Sequence, residues 1–402
     1  MKLRSTRLIP ALAATTALLL IGLVAPRATA QQKPNMAENV FKNIQVLKGI
    51  TVDDFLGSMG VMSAAIGFCC NECHPGAGTD KVDWATDENP RKVTARKMVA
   101  MVAAINRDNF NNRQNVTCWT CHHGRDRPST TPTLETVYGQ GPTEMDDVLA
   151  QMPGQTPASQ ILDKYIQALG GADKLSRITS WAATGKSVGF GGFGGGGTVH
   201  AWAKAPDKRA LMIEFKDAPD RGDSIRVYNG KVGSVQTVLA VLKDYQLTGS
   251  ELDGARFDAE MAFPGNIKQF LTNLRTSLPS TISDLPGPSS QTKNAPDMGI
   301  GQDRMVNVIQ GTGPNGLLVT MYFDQDSGLL LRMVRYGRTP IGRVPTQTDF
   351  ADYREVNGVK FPHRLIFAWL DGRDAIQLEN IRVNVPIDDG KFANPAAVKA
   401  NN

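Results

Sequence analysis

The sequence predicts an α+β chain: a small, mainly helical domain followed by an antiparallel, partly open β-barrel or curved sheet with a helix packed on it. Three observations predict this. Apolar residues keep helical spacing across 51–67 and from 89 to 105; alternation with a period of two takes over after residue 180; and the turns between the alternating segments are too short for the helical crossovers of a parallel sheet. With 402 residues, 41% hydrophobic and 21% charged, the chain can bury a sizeable core, and disorder or collagen-like structure is excluded.

The first thirty residues read as an export signal. Lys2, Arg4 and Arg7 precede an apolar run from Ile9 to Val24, and Ala28-Thr29-Ala30 forms a small-residue cleavage site. The run is broken by Pro10, Thr15 and Thr16 and is short for a span of about 20 apolar residues. Cleavage removes four basic and no acidic residues, so the formal charge falls from +5 to +1. Nucleic-acid binding thereby loses its electrostatic support. A periplasmic or exported location follows.

Two helices come next. Thr51 caps the first, with Asp54 three residues on, and Val52, Phe55, Leu56, Met59, Met62 and Ile66 keep its spacing. The second opens at Asn89-Pro90 and carries Val93, Met98, Met101, Val102 and Ile105 on one face. Each helix precedes the same motif. Cys70-Asn71-Glu72-Cys73-His74 and Cys118-Trp119-Thr120-Cys121-His122 both read C-x-x-C-H, the attachment signature of c-type haem. Two thiols bond the porphyrin's vinyl groups, and the adjacent His reaches the iron as an axial ligand.

Other uses of these Cys fit less well. A zinc site needs no His after each pair, and the 44 residues between Cys73 and Cys118 exceed the usual separation. Thioredoxin-like chemistry wants a βαβ setting, and disulfides leave the His without a role. Two covalently bound haem c groups are therefore expected, held by Cys70, Cys73, Cys118 and Cys121, with His74 and His122 on the irons. Cys69 is left without a partner and is expected as a buried small hydrophobe beside the first haem. Spacing alone does not choose between Met59 and Met62, or between Met98 and Met101, as sixth ligands.

Residues 37–127 resemble a known family. The segments Val46-Leu47-Lys48-Gly49-Ile50, Phe55-Leu56-Gly57-Ser58-Met59, Ala95–Asn106 and Val116–Gly124 are similar to the first, two-haem half of the photosynthetic reaction-centre cytochrome c subunit. The resemblance implies that a Met from the helix before each motif completes His/Met ligation. It points to Met59 with His74 and to Met98 with His122, Met62 and Met101 being the alternates. The family carries four haems, whereas no Cys follows Cys121 here. Electron transfer is thus implied, without photosynthesis being established.

From 128 to 157 the chain is rich in Pro, Thr, Gln and Gly and reads as a linker between a 31–127 domain and a 158–395 domain. A helix is expected over 158–169 and another over 265–277. Strands are expected at 181–188, 197–204, 209–216, 224–229, 304–311, 317–324, 328–337, 347–356, 359–370 and 375–385. The Pro/Ser-rich stretch 279–300 reads as a long loop. This order, with Asp349–Pro362, is similar to the periplasmic lipoprotein-carrier superfamily, an unclosed barrel around a helix. That resemblance implies a concave face able to take a hydrophobic ligand; a filled core serving as a scaffold fits equally.

The remaining motifs are weak. Seven Gly among residues 189–197 join two strands, as a hairpin tip does, and do not lead into a helix as a phosphate cradle would. His123, Arg125 and Arg127 suit haem propionates; His200 and His363 stand alone on strand patterns. No Ser-His-Asp order or nucleotide loop stands out. The residues predict an electron carrier with protein donors and acceptors, compatible with a membrane-associated complex. The alternatives are a dihaem peroxidase or related oxidoreductase with one open iron, or hydrophobic-ligand binding by the C-terminal domain.

Overall fold

The computed structural model describes residues 34–79, 81–138, 151–188, 196–215, 222–237, 242, 244–283, 303–370, 372–395 and 398. The export signal, most of the Gly-rich 189–197 stretch and most of the 279–300 loop lie outside these residues. Ten helices are present among the described residues: α1 (Ala37–Val40), α2 (Val52–Ile66), α3 (Cys70–Cys73), α4 (Pro90–Phe110), α5 (Cys118–His122), α6 (Leu134–Tyr138), α7 (Ala158–Ala168), α8 (Ala172–Ser176), α9 (Gly249–Glu260) and α10 (Ile267–Phe270). The strands are β1 (Ser180–Val188), β2 (Thr198–Lys204), β3 (Lys208–Glu214), β4 (Ser224–Asn229), β5 (Gly233–Gln236), β6 (Asp244–Gln246), β7 (Thr272–Thr276), β8 (Ser280–Ile282), β9 (Arg304–Thr312), β10 (Leu318–Asp324), β11 (Leu330–Thr339), β12 (Gly342–Val356), β13 (Val359–Trp369) and β14 (Gly372–Val383).

The strands form one large open antiparallel sheet. Its order is β6-β5-β4-β3-β2-β1-β14-β13-β12-β11-β10-β9-β7, with β8 paired to β9 off this path. Two meanders, β1–β6 and β9–β14, are joined where β1 pairs with β14, Trp181 opposite Val383. Turn chemistry sets the register. Asn357 and Gly358 both take positive φ, 52° and 79°, as a two-residue hairpin turn with Val356 opposite Val359 requires.

The helix α7 fills the sheet's face. Ile161, Leu162, Tyr165 and Ile166 recur at i, i+1, i+4 and i+5, and all pack with Val319, Met321, Phe323, Leu330 and Met333 from β10 and β11. Each such side chain contributes about 1.5–3 kcal/mol by leaving water. Between α7, the 261–265 segment and the sheet remains a cavity of about 120 Å³, lined by Tyr165, Trp181, Met261, Phe263, Tyr353 and Phe361 among others.

The helix expected over 265–277 is corrected. A short 3-10 turn and α10 end at Phe270, and β7 follows. Ile267, Phe270, Leu271 and Leu274 have helical spacing, but Asn273 sits at φ 51° and Arg275 and Thr276 pair with Gln310 and Ile309 of β9. Sheet pairing overrides the local pattern. The helix α9 arises where none was expected.

Residues 34–402 form one compact unit, with α2 packed on β11 and β12. Glycines permit the close approach. A Cβ on Gly57 would stand 2.9 Å from Thr339 Cγ2, so only Gly lets the α2 backbone lie there. Asp53, in the first turn of α2, accepts from Thr248 N and Thr248 Oγ1 and ties the helix to the start of α9.

Candidate haem-binding site

The first motif is a single helical turn. Gly67 ends α2 in the left-handed conformation (φ 69°), and Cys69 precedes α3 in extended conformation, where it is exposed and not buried as expected. His74 N donates to Cys70 O at 2.8 Å, closing the turn so that both thiols and the imidazole project from one short loop. Cys70 is exposed, while Cys73 and His74 are half-buried. Burial pushes the Cys73 thiol up. Burial, then the Lys92 cation, lowers the His74 imidazole, with a Trp84 backbone group acting the other way. The Trp84 ring lies 5.1 Å from the His74 ring, and His74 Nδ1 is buried without a hydrogen-bond partner.

The second motif is built more firmly. Asn89 caps α4 by accepting from Arg91 N, with Pro90 in the first turn. Near the helix end, Asn106 is 9% exposed, and its side chain acts as a clamp. Its Oδ1 accepts from Asn115 N (3.1 Å) and Val116 N (2.9 Å), and its Nδ2 donates to Val116 O (2.7 Å). The clamp delivers the chain to Thr117, which forms a capping box with Thr120 at the start of α5. Cys118 is buried, which raises its thiol, and Cys121 is exposed. His122 Nδ1 lies 2.9 Å from Arg125 O. That bond orients the ring and leaves Nε2 for a metal.

The two units hold each other reciprocally. Gly124 N, just past the second motif, donates to Ala65 O near the end of α2 at 2.8 Å. Conversely, Asn89 Nδ2 donates to Glu72 O, and Arg91 pairs with the Glu72 carboxylate at 2.9 Å, tying the start of α4 to α3. Each long helix therefore braces the motif of the other unit as well as leading to its own.

The four candidate Met differ in setting. Met59 and Met62 are half-buried on α2, and Met62 packs on the core of Val61, Ala65, Val99, Cys118 and Ile341. On α4, Met98 is half-buried and Met101 is 44% exposed. Trp119 and Val93 are also exposed apolar side chains of this region.

These residues fit haem c. Paired thiols on single turns, an imidazole with its Nδ1 engaged, another with a buried unpaired Nδ1, and uncovered apolar side chains are what a covalently held porphyrin would use. Among the described residues no three of His, Cys, Asp and Glu gather into a group that could hold a metal ion by themselves. The isolated His have other roles. His200 stacks on Trp202 with centroids 5.8 Å apart, and buried His363 places Nδ1 3.0 Å from Phe361 O. Sequence reasoning missed Asn106, whose signal is a polar residue four positions after Val102 on the buried stripe of α4.

Comparison with known proteins bears on the same region. Residues 15–164 match the family model of the photosynthetic reaction centre cytochrome C subunit. The chain is 36% identical over 97 residues to the photosynthetic reaction center cytochrome c subunit of Thermochromatium tepidum, covering 23% of this chain and 22% of that protein. It is 34% identical over 116 residues to the subunit of the same name from Roseobacter denitrificans, covering 26% and 31%. The chain thus spans less than a third of the length of these curated relatives. A solved LolA superfamily protein from Nitrosomonas europaea aligns with 60% of this chain and 98% of its own at 14% identity, with a TM-score of 0.35. Among the described residues no helix is long and apolar enough to cross a membrane. Over residues 15–164, the segment that carries both C-x-x-C-H helices, the chain is similar to the photosynthetic reaction centre cytochrome C subunit.

Proposed function

We propose that this chain is an exported dihaem c-type cytochrome that passes single electrons between a donor and an acceptor protein. The observation that carries this reading is the pair of one-turn C-x-x-C-H helices, the second entered through the Thr117 capping box and each braced by the other unit's long helix. The thiols of Cys70, Cys73, Cys118 and Cys121 would hold each porphyrin covalently through its vinyl groups. His74 and His122 would ligate the irons together with Met59 and Met98, Met62 and Met101 being the alternates. Bound haem supplies a one-electron iron couple, whose potential His/Met ligation raises. The chain's part would be to supply His and Met ligands to the irons and to hold the porphyrins fixed.

Redox titration of the purified full chain tests this reading. Two one-electron waves are expected, with no peroxide turnover. Replacing the true Met ligand by Ala abolishes the absorption specific to Met-ligated ferric haem and lowers that wave. A dihaem peroxidase would instead show an iron insensitive to all four substitutions, Met59→Ala, Met62→Ala, Met98→Ala and Met101→Ala, together with rapid peroxide turnover.

The sheet is best read as a scaffold. The cavity beside α7, of about 120 Å³, falls below the roughly 300–1,000 Å³ of ordinary small-molecule sites, and elsewhere in the core Leu162, Ile309, Met321 and Phe323 are fully buried.

A further inference from the structure

The turn that joins β11 to β12 belongs to the sheet, yet it supports the second C-x-x-C-H motif. Thr339 Oγ1 donates to Gly342 O at 2.8 Å and accepts from Ile341 N at 3.3 Å, which fixes the turn. Ile341 is 3% exposed and shares one core with Val61 and Ala65 of α2, Val99 of α4 and the thiol-bearing Cys118. Gln114 Nε2 donates to Thr339 O at 2.8 Å, so the chain entering α5 is tied to the same turn. Gly342 completes the fit: a Cβ there would stand 2.9 Å from Val61 Cγ1 and 3.8 Å from Thr117 Cβ.

The first motif is held differently. The turn α3 buries none of its residues, and Glu72 accepts side-chain bonds from Asn89 and Arg91 at the start of α4. The two motifs therefore differ in what orients them. Cys118 lies on the buried side of α5, and a thiol that must meet a fixed vinyl carbon depends on how its helix is rotated. Ile341 packs in the core that sets this rotation.

We propose that the Thr339–Gly342 turn, through Ile341 and the Thr339 carbonyl, is a positioning element for the second haem site. This rests on the dihaem reading above. Ile341 acts through Cys118 and the rotation of α5. Truncating it opens a cavity beside Cys118 that the surrounding core fills only in part.

The test uses the full exported chain with Ile341→Ala, Ile341→Val and Gln114→Ala. Peptide mass spectrometry reads haem occupancy at Cys70/Cys73 and at Cys118/Cys121 separately, and redox titration reads each wave. The expected result for Ile341→Ala is a fall in occupancy at Cys118/Cys121, or a shift of that haem's wave, with the first motif unchanged. Ile341→Val restores it. Gln114→Ala, which leaves the core intact, shifts the same wave and not the other. Equal change at both motifs, or no change at the second in either Ile341→Ala or Gln114→Ala, overturns the proposal. A wild-type chain with no haem at either motif overturns the dihaem reading itself, a result distinguishable from the others.

Discussion

The carboxylate of Asp53 accepts hydrogen bonds from both the backbone N–H of Thr248, at 2.7 Å, and its hydroxyl, at 2.9 Å. It joins the first turn of α2 to the start of α9 across 195 residues of sequence. Burial, reinforced by nearby Glu251, pushes Asp53 up to about 6, against the bonds from Thr248 and the Arg226 cation.

This carboxyl makes stability depend on pH in a stated direction. Its folded value exceeds its unfolded one, so the folded state holds a proton that the unfolded state has released. Stability from this group therefore falls as pH rises from about 4 to about 6, by on the order of 3 kcal/mol, and is flat above. Asp53→Asn keeps an acceptor for Thr248 and removes the titration. Urea unfolding at pH 4.5 and pH 7.5 is expected to show the variant gaining on the wild type at the higher pH; equal differences at both would contradict the assignment.

Gly57 and Gly60, one turn apart on α2, are expected to respond oppositely to Ala. Both substitutions gain about 1 kcal/mol of helix propensity. At Gly60 the new Cβ meets Leu370 Cβ at 3.5 Å, an ordinary contact, and stability rises. At Gly57 it meets Thr339 Cγ2 at 2.9 Å and Val344 Cγ2 at 3.2 Å, and Thr339 is held by its hydroxyl bonds. Overpacking of this kind costs about 1–3 kcal/mol, so Gly57→Ala is expected to be net destabilising. Denaturant midpoints of the two variants check the sign.

Asn106→Leu preserves the size of a buried side chain while removing three hydrogen bonds to residues 115–116. Leaving these backbone groups unpaired costs about 1–3 kcal/mol each where water cannot reach them. A lowered melting temperature is expected, with faster hydrogen exchange at Val116. Unchanged exchange there would show that the clamp does not hold the loop.

What the sequence made legible was local. The caps at Thr51 and Asn89, Pro90 in the first turn and the two C-x-x-C-H runs all act within a few residues, and the Asn357-Gly358 turn announces itself by its φ requirement. What escaped depends on distant partners. The β7 segment has apolar spacing that suits a helix and becomes a strand only because β9 is there to pair with it. The helix α9 buries Gly254, Ala255, Phe257 and Ala259, a stripe of mostly small residues with little apolar signal, and Gly254 is needed because the Arg335 guanidinium lies against it. The bond from Gln114 to Thr339 spans 225 residues, and no local pattern encodes it.

The central claim is that both motifs hold covalent haem, and the mass of the denatured full-length protein tests it most directly. The expected mass is that of a chain heavier by two haem groups, falling to one when Cys70 and Cys73 are both replaced by Ser and to one when Cys118 and Cys121 are. A denatured chain at its bare polypeptide mass, with zinc recovered from the native protein, would contradict it.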